Sequence, residues 1–266
     1  MDSRETYTVG YTDLAVRYMQ RRHAARDAAF VLPYLTSGMA LLDCGCGPGT
    51  VTVGLAEAVS PGQVVGVDLH EGQVDIASKM ARDRGINNLT FKAASVYQLP
   101  FPDRSFDAVF SHALFEHLGE PEAALEEIRR VLRPGGIVGL SSPDWSGNLL
   151  APHDPEVERA IEVFKAIQQR NGGNPYVGRE LGQLLAEAGF QRIKLSAMYD
   201  CYEDVPLIAE LLAQQIEEGV GRQIVSGPGL SRGEVGGLCH ALREWATRRP
   251  ILFAQTFVDA IAYTES

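Results

Sequence analysis

The chain has 266 residues, of which 45% are hydrophobic and 22% are charged. This length can bury one substantial core, and the composition is that of an ordinary soluble protein. The formal net charge is −10. Such a surface would repel a phosphate backbone, so nucleic acid is disfavoured as a substrate or partner.

The chain carries no signal for export or for a bilayer. Its first residues lack the apolar stretch of a secretion signal, and no apolar run is long enough for a membrane span. We therefore expect a cytoplasmic protein without a membrane span. Cys44 and Cys46 lack a second ligand pair at zinc-site spacing, so no metal site is predicted, and a reduced compartment predicts no disulfide.

In chain order, the first predicted element is a helix over residues 11–35, whose apolar side chains share one face before Pro33. From residue 37 onwards, short apolar strands alternate with amphipathic helices. Seven strands are predicted, near Met39–Asp43, Gln63–Asp68, Leu89–Ala93, Phe106–Ser111, Ile137–Ser141, Phe190–Tyr199 and Leu252–Ala262. This alternation predicts an α/β fold with a doubly wound, mainly parallel, seven-stranded sheet and helices on both faces.

The domain organisation follows from the same pattern. We expect residues 1–36 to form an N-terminal helical cap and residues 37–266 to form one domain. Two segments, about 143–180 and 200–250, interrupt the alternation. The second contains an apolar helix and a predicted loop rich in glycine, with Gly221, Gly227, Gly229, Gly233, Gly236 and Gly237. Long insertions in a regular scaffold commonly cover binding sites, so both segments are predicted to form a lid.

The turn after the first strand is the most informative part of the sequence. It runs from Asp43 to Thr50 and has glycine at alternate positions, Gly45, Gly47 and Gly49. Glycines in a strand–loop–helix turn let backbone N–H groups approach a ligand closely, so the turn predicts a nucleotide site.

The spacing of the turn restricts the kind of nucleotide. A threonine stands where either reading frame of the dinucleotide fingerprint would need its third glycine, which disfavours an NAD-dependent oxidoreductase. The lysine of a phosphate-binding loop is absent as well. Asp43 would repel a pyrophosphate but would tolerate a cation. The expected ligand is a nucleoside without phosphates that carries positive charge.

The turn resembles the first motif of class I S-adenosylmethionine-dependent methyltransferases. The resemblance continues in order over residues 41–140, through Val64–Asp68, Leu99–Phe101, Ser105–Val109 and Glu127–Gly136. The nearest subgroup is similar to the methyltransferases of ubiquinone and menaquinone biosynthesis. The resemblance implies a Rossmann-like fold, S-adenosylmethionine as the cofactor, and methyl transfer to O, N or C of a small acceptor. That acceptor is expected to be partly aromatic or apolar.

The resemblance also implies which residues contact the cofactor. Asp68 would bind the two ribose hydroxyls, although a role in capping the next helix would also explain it. Leu69 would lie against the adenine, and Gln73 is a weaker candidate because an exposed helix residue explains it nearly as well. The turn residues Asp43, Gly45, Cys46, Gly47 and Gly49 complete this end of the predicted site.

The chain departs from the family pattern after the third strand. Members often have Gly-Asp-Ala there, with the aspartate accepting from the adenine amino group, whereas this chain has Ala94-Ser95-Val96. Because a serine hydroxyl is short and uncharged, the adenine contact is open at this point. Ser95 and Val96 remain candidates for it.

Further candidates lie near the methionine end of the cofactor. His112 follows the fourth strand and could contact the cofactor, orient the acceptor, or be a surface histidine. Tyr18, together with Tyr11 and Arg22, could fold over the cofactor, although packing of the N-terminal helix explains Tyr18 almost equally well. If the acceptor is a hydroxyl, a base is needed, and His112 or His153 would be the first candidates.

Two other functional classes remain open. Binding motifs do not prove turnover, so the chain could bind S-adenosylmethionine without catalysis. A protein or RNA methyltransferase is a further alternative that the acidic composition disfavours.

As an enzyme, the chain would work mainly by placing the acceptor in line behind the carbon–sulfur bond. The sequence predicts no oligomeric state.

Overall fold

In the computed structural model, which describes residues 6–221 and 230–265, eight strands form one sheet. They are β1 (Leu41–Cys44), β2 (Val64–Asp68), β3 (Leu89–Ala93), β4 (Phe106–His112), β5 (Leu132–Pro143), β6 (Leu149–Ala151), β7 (Gln191–Cys201) and β8 (Leu252–Tyr263). Strands β1 to β5 are parallel, and β8 runs antiparallel to β5, β6 and β7. The predicted mainly parallel α/β sheet is confirmed.

The strand order places a ligand-binding edge at β1. This strand lies between β2 and β4, and Cys44 is paired with Val67 on one side and with Ser111 on the other. The chain therefore winds away from β1 in both directions, which defines a topological switch point. Ligands of doubly wound folds bind outside the carboxyl ends of the strands at such a point.

The predicted number of seven strands was wrong by one short element. Strand β6 has three residues, and Leu149 pairs with Ala254 of β8. Because Ala254 also pairs with Cys201 of β7, β6 lies on the edge of β8 that faces β5. A strand this short cannot show an alternating pattern in the sequence.

Nine helices are present in the described ranges. They are α1 (Asp13–Gln20), α2 (Ala24–Asp27), α3 (Thr50–Val59), α4 (Glu71–Asp83), α5 (Pro121–Val131), α6 (Pro155–Arg170), α7 (Leu181–Glu187), α8 (Val205–Gly221) and α9 (Arg232–Trp245). None of them is long and apolar enough to cross a bilayer.

The single N-terminal helix predicted over residues 11–35 is broken into α1, α2 and a short 3-10 turn. The break falls at His23, whose backbone is extended. Its N–H donates to the Asp27 carboxylate at 2.7 Å, so Asp27 stabilises the start of a new helix instead of the continuation of α1.

The glycine-rich loop predicted within 200–250 was partly wrong. Gly233, Gly236 and Gly237 lie inside α9, which begins with a capping box between Ser231 and Glu234. This cap, together with the apolar face of α9, outweighs the helix-breaking tendency of glycine. Gly221 ends α8, whereas Gly227 and Gly229 fall outside the described residues.

Three hydrophobic cores organise the described residues. Leu42 and Val109 belong to the core beneath α5 and α7, while Leu41 and Phe110 belong to the core beneath α3. Alternation along β1 and β4 thus supplies both faces of the sheet. A third core joins α1, α6, α8 and α9. It attaches the N-terminal segment to the two segments that interrupt the regular alternation.

Gly49 should be essential for folding of the turn. Its φ is +80°, and an added Cβ would lie 2.8 Å from both Ala77 Cβ and Phe91 Cζ. We expect Gly49→Ala to lower the free energy of unfolding by about 2–4 kcal/mol, because backbone strain and overpacking combine. Gly85→Ala is the matched control, since its φ is +66° and nothing lies within 4 Å. It should cost about 1 kcal/mol in urea denaturation. Equal losses would contradict the packing argument.

Candidate active site

A pocket of about 1160 Å³, counted with its mouth, lies at the carboxyl ends of β1, β2 and β4. It receives the turn after β1, the residues after β2 and β4, and part of the N-terminal segment. The predicted site residues that line it are Asp43, Gly45, Cys46, Gly47, Asp68, Leu69, Gln73, Ser95, Val96 and His112. The structure therefore brings together ten residues from five separate stretches of sequence at the predicted edge of the sheet.

Backbone hydrogen bonds fix the shape of the glycine turn. The N–H groups of Gly45 and Cys46 donate to the carbonyl of Val67 at 2.8 and 3.0 Å. The N–H of Gly47 donates to Asp68 Oδ2 at 2.9 Å. Gly45 and Gly47 both have positive φ, so the turn requires their conformational freedom. The turn is held to β2 rather than left free.

Asp68 is positioned to bind a pair of hydroxyl groups. Its two carboxylate oxygens accept from the N–H groups of Gly47 and His70, each at 2.9 Å. Each oxygen keeps further lone pairs for a ligand. Burial raises the pKa of Asp68, while both backbone N–H groups oppose that shift. Because His70 is the residue that precedes α4, Asp68 also supports the start of this helix.

Asp43 is a buried acid at the base of the pocket, with 2% of its surface exposed. Its Oδ2 accepts from Thr52 Oγ1 at 2.6 Å, and no ion pair to Asp43 occurs in residues 6–221 and 230–265. Burial raises its pKa to about 7, although the bond from Thr52 opposes the shift. A cationic ligand would stabilise the ionised form.

Several buried polar atoms at the pocket have no hydrogen-bond partner among the described residues. They are Gln73 Oε1, Arg22 Nε, His112 Nδ1 and His117 Nδ1. Buried polar groups are nearly always paired, so orphans gathered at one pocket indicate that a polar ligand pairs them. Gln73 is only 2% exposed, which is contrary to its interpretation as an exposed helix residue.

The N-terminal segment closes one side of the pocket. Tyr7, Tyr11, Met19 and Arg22 all line it. The ring of Tyr11 is stacked on His70 at 3.7 Å, and Tyr7 meets His117 edge-on at 4.6 Å. The sequence suggested Tyr11 and Arg22, but Tyr7 and Met19 gave no signal that separates them from ordinary packing residues.

Tyr18 is not among the residues that line the pocket, so its contact with the cofactor stays a prediction. Its hydroxyl is 2.9 Å from that of Tyr202, which donates to Gln255 at 2.6 Å. Tyr18 thus anchors α1 to β8. Gly49 does not line the pocket either, because it packs against Ala77 and Phe91 and supports the turn from behind.

The second histidine candidate, His153, does not line the pocket either. The side chain of His153 is 67% exposed, and its Nδ1 lies 3.1 Å from Glu158 Oε1 outside the pocket. His117, which was not among the predicted site residues, also lines the pocket. A 3-10 turn over Phe115–His117 places it there. Burial lowers the pKa of His117 to about 3, and Arg22 adds to that shift.

The two segments predicted as a lid contribute none of the residues that line the pocket, as far as the described parts of the chain show. Their helices α6, α8 and α9 pack together with α1 in the third core. The lid therefore stays a prediction. In the same described parts, no group of three or more His, Cys, Asp or Glu side chains could hold a metal ion.

Comparisons with known proteins identify the family. Residues 42–140 match the family described as "Methyltransferase domain". An uncharacterized methyltransferase of Schizosaccharomyces pombe is 34% identical over an alignment of 214 residues. The alignment covers 76% of this chain and 77% of that protein. A demethylmenaquinone methyltransferase of Geobacillus kaustophilus is 36% identical over 66% of this chain and 81% of its own length. The chain belongs to the S-adenosylmethionine-dependent methyltransferases. Its cofactor is S-adenosylmethionine.

Solved structures agree on the fold of this methyltransferase. The YcgJ protein of Bacillus subtilis has a TM-score of 0.63 at 17% identity and covers 91% of this chain and 99% of its own. The [4+2]-cyclase SpnF has a TM-score of 0.55 at 23% identity over 95% of this chain and 82% of that one. These identities are low, so the likeness supports the Rossmann-like fold alone.

The raised pKa of Asp43 should make stability depend on pH. Between about pH 4 and pH 7 the unfolded chain releases the Asp43 proton while the folded chain keeps it. The contribution of Asp43 to the free energy of unfolding therefore falls across this window, by about 2–4 kcal/mol. Asp43→Asn should remove that part of the decline, measured by urea denaturation at several pH values.

The control for this experiment is Asp75→Asn, because Asp75 is exposed on α4. Its stability curve should run parallel to that of the wild type. Glu116 and Asp259, whose pKa values are raised to about 7 and about 6, contribute declines of the same sign in every variant. If the stability curve of Asp43→Asn also runs parallel to that of the wild type, Asp43 is ionised at neutral pH in the folded chain.

Proposed function

We propose that this pocket binds S-adenosylmethionine between Asp68 and Arg22 and presents its methyl group to a small, partly aromatic or apolar acceptor. The observation that carries the proposal is the set of unpartnered polar atoms that converge on a pocket with a carboxylate at each of two strand ends. The transfer would be an in-line displacement. Its rate would come mainly from positioning and from exclusion of water.

The adenosyl end would lie against β2 and β3. Asp68 would accept from both ribose hydroxyls, and Leu69, which is 49% exposed at the pocket, would cover one face of the adenine. Ser95 Oγ already accepts from the N–H of Tyr97 at 3.2 Å. Its hydroxyl proton remains available for a ring nitrogen of the adenine. Serine here would thus donate where the family pattern has an acceptor.

The methionine end is a zwitterion beside a sulfonium, and the pocket offers complementary charges. Arg22 would bind the carboxylate, because its Nε is buried and unpartnered and no ion pair to it occurs in the described residues. Its neighbour Arg21, by contrast, is paired with Asp200. Asp43 would balance the positive groups of the cofactor at the opposite side.

The acceptor would occupy the wall between the N-terminal segment and the turn after β4. Tyr7, Leu114 and Leu118 make this wall largely apolar, and His112 and His117 supply its polar atoms. Relatives support a small acceptor. Sequences 26% and 32% identical to this chain are named O-methyltransferases, resE of Aspergillus sclerotiorum and cnsE of Penicillium expansum. Two other relatives, both from Geobacillus, are named demethylmenaquinone methyltransferases.

A chain that binds the cofactor without methyl transfer is the second candidate. The observation in its favour is that SpnF, a [4+2]-cyclase, has the same fold, so this fold also supports chemistry other than methyl transfer. Release of S-adenosylhomocysteine in the presence of an acceptor panel distinguishes the two candidates. An NAD-dependent activity is disfavoured because Asp43 lies where a pyrophosphate would approach. The cytoplasmic location stays a prediction.

Cofactor affinity should depend on Asp68 and Gly47. Loss of the carboxylate in Asp68→Ala removes two charge-assisted hydrogen bonds, and Gly47→Val places a branched side chain at φ +52° inside the pocket. We expect each variant to weaken S-adenosylmethionine binding by about 100-fold or more in calorimetry. Asp75→Ala, exposed on α4, should bind as the wild type does. Unchanged affinity in both site variants would overturn the assignment.

Arg22 should contribute to the affinity for ligands that carry the methionine carboxylate, and not to the affinity for the nucleoside part alone. Arg22→Gln is expected to weaken binding of S-adenosylhomocysteine by about 10–100-fold, because a charge-assisted pair is lost. Binding of 5′-methylthioadenosine, which lacks the carboxylate, should change less than about twofold. Arg17→Gln on the exposed side of α1 is the control. Equal weakening of both ligands would mean that Arg22 supports the pocket without contacting the carboxylate.

A further inference from the structure

Strand β7 lies at one end of the sheet. Among the described residues it pairs with β8 and with no other strand. It is 11 residues long, so its outer side presents a row of backbone N–H and C=O groups that can pair with a further strand. We call the outer side of residues 194–201 the β7 edge.

The side chains at the centre of the β7 edge are exposed on both faces of the sheet. Leu195 is 54% exposed and Tyr199 is 47% exposed. Ala197, which lies between them, is exposed as well. Because side chains two residues apart share a face, these three form one apolar stripe. Ser196 on the opposite face is also exposed, which leaves room for another strand beside β7.

The features that keep an edge strand from pairing lie at the beginning of β7 alone. The register with β8 shifts between Gln191 and Lys194, and Arg192 has a φ of +53°. Irregularities and basic side chains of this kind hinder edge-to-edge pairing. Residues 195–199, by contrast, include no charge, proline or glycine. The uncharged part of the β7 edge is therefore unprotected.

A second copy of this chain fits the β7 edge, because antiparallel pairing about Ala197 is self-complementary. A twofold axis perpendicular to the sheet pairs residues of the same face. With the axis at Ala197, each Leu195 lies opposite Tyr199 of the second copy, so the two most exposed apolar side chains of the edge cover each other twice. An axis at either neighbouring residue would separate Leu195 from Tyr199.

The charges along the strand also favour an antiparallel second copy. The beginning of β7 is basic, with Arg192 and Lys194, and the chain just past its end is acidic, with Glu203 and Asp204. All four are exposed, and none of them forms an ion pair within residues 6–221 and 230–265. Antiparallel pairing places the basic beginning of each strand beside the acidic end of the other. Parallel pairing would bring like charges together.

We propose that two copies of this chain pair through the β7 edge, antiparallel and centred on Ala197, so that their sheets join into one continuous sheet. The interface is isologous, since the same residues of both copies form it. Strands β4, β5 and β8 lie between β1 and β7, and no residue of the β7 edge lines the pocket. The pocket therefore stays open in the dimer, and the inference does not depend on the proposed function.

Sedimentation of the full chain tests this pairing through substitutions at the axis. The wild type should sediment as two chains at about 100 μM. Ala197→Lys sets two positive charges opposite each other, so it should raise the dissociation constant by about 100-fold or more. Ala197→Glu should do the same with two negative charges. An equal mixture of the two variants sets opposite charges against each other, and it should form dimers at least as readily as the wild type.

Thr90→Lys is the matched control, because it adds the same charge at an exposed position of β3, the strand at the opposite end of the sheet. It should leave the dissociation constant unchanged. A wild type that sediments as one chain at about 100 μM would overturn the proposal. An equal loss of dimers in Thr90→Lys would overturn it as well. So would a mixture of the two Ala197 variants that stays as monomeric as each variant alone, because residue 197 would then not face itself.

Hydrogen exchange locates the interface without any substitution. The outward-facing amides of residues 195–201 should exchange about tenfold or more slowly in the concentrated wild type than in dilute solution. A dimer without added protection in this stretch would have its interface elsewhere, and the proposal would be wrong.

Discussion

The site depends on the hydrogen bond between the N–H of Gly47 and the carboxylate of Asp68. This bond ties the turn after β1 to the end of β2, and parallel pairing with β4 brings the turn after β4 to the same edge. The pocket is thus an outcome of strand register. A change in the pairing of β1 would separate the glycine turn from the carboxylate that orients it.

The N-terminal segment completes the pocket because buried polar contacts hold it to the far edge of the sheet. Arg21 pairs with Asp200 of β7, and Tyr18 bonds to Tyr202. These contacts lie behind the pocket wall and leave Arg22 facing the interior. Neighbouring residues on one chain segment therefore have different surroundings, since Arg21 fastens the segment and Arg22 faces the pocket.

How far the sequence predicts this site depends on how local each feature is. The glycine turn, Asp68 and the alternation of strands and helices are contiguous patterns, so they could be recognised without the structure. Tyr18 could not be placed, because its partner Tyr202 is 184 positions away in the chain. His117 could not be recognised as a pocket residue either, since a short 3-10 turn has no periodicity that predicts which way its side chains face.

Tyr11, which stacks on His70, supplies part of the pocket wall from the N-terminal segment. Tyr11 precedes every strand of the sheet. A chain that lacked the segment around Tyr11 could therefore keep its sheet while losing one wall of the pocket.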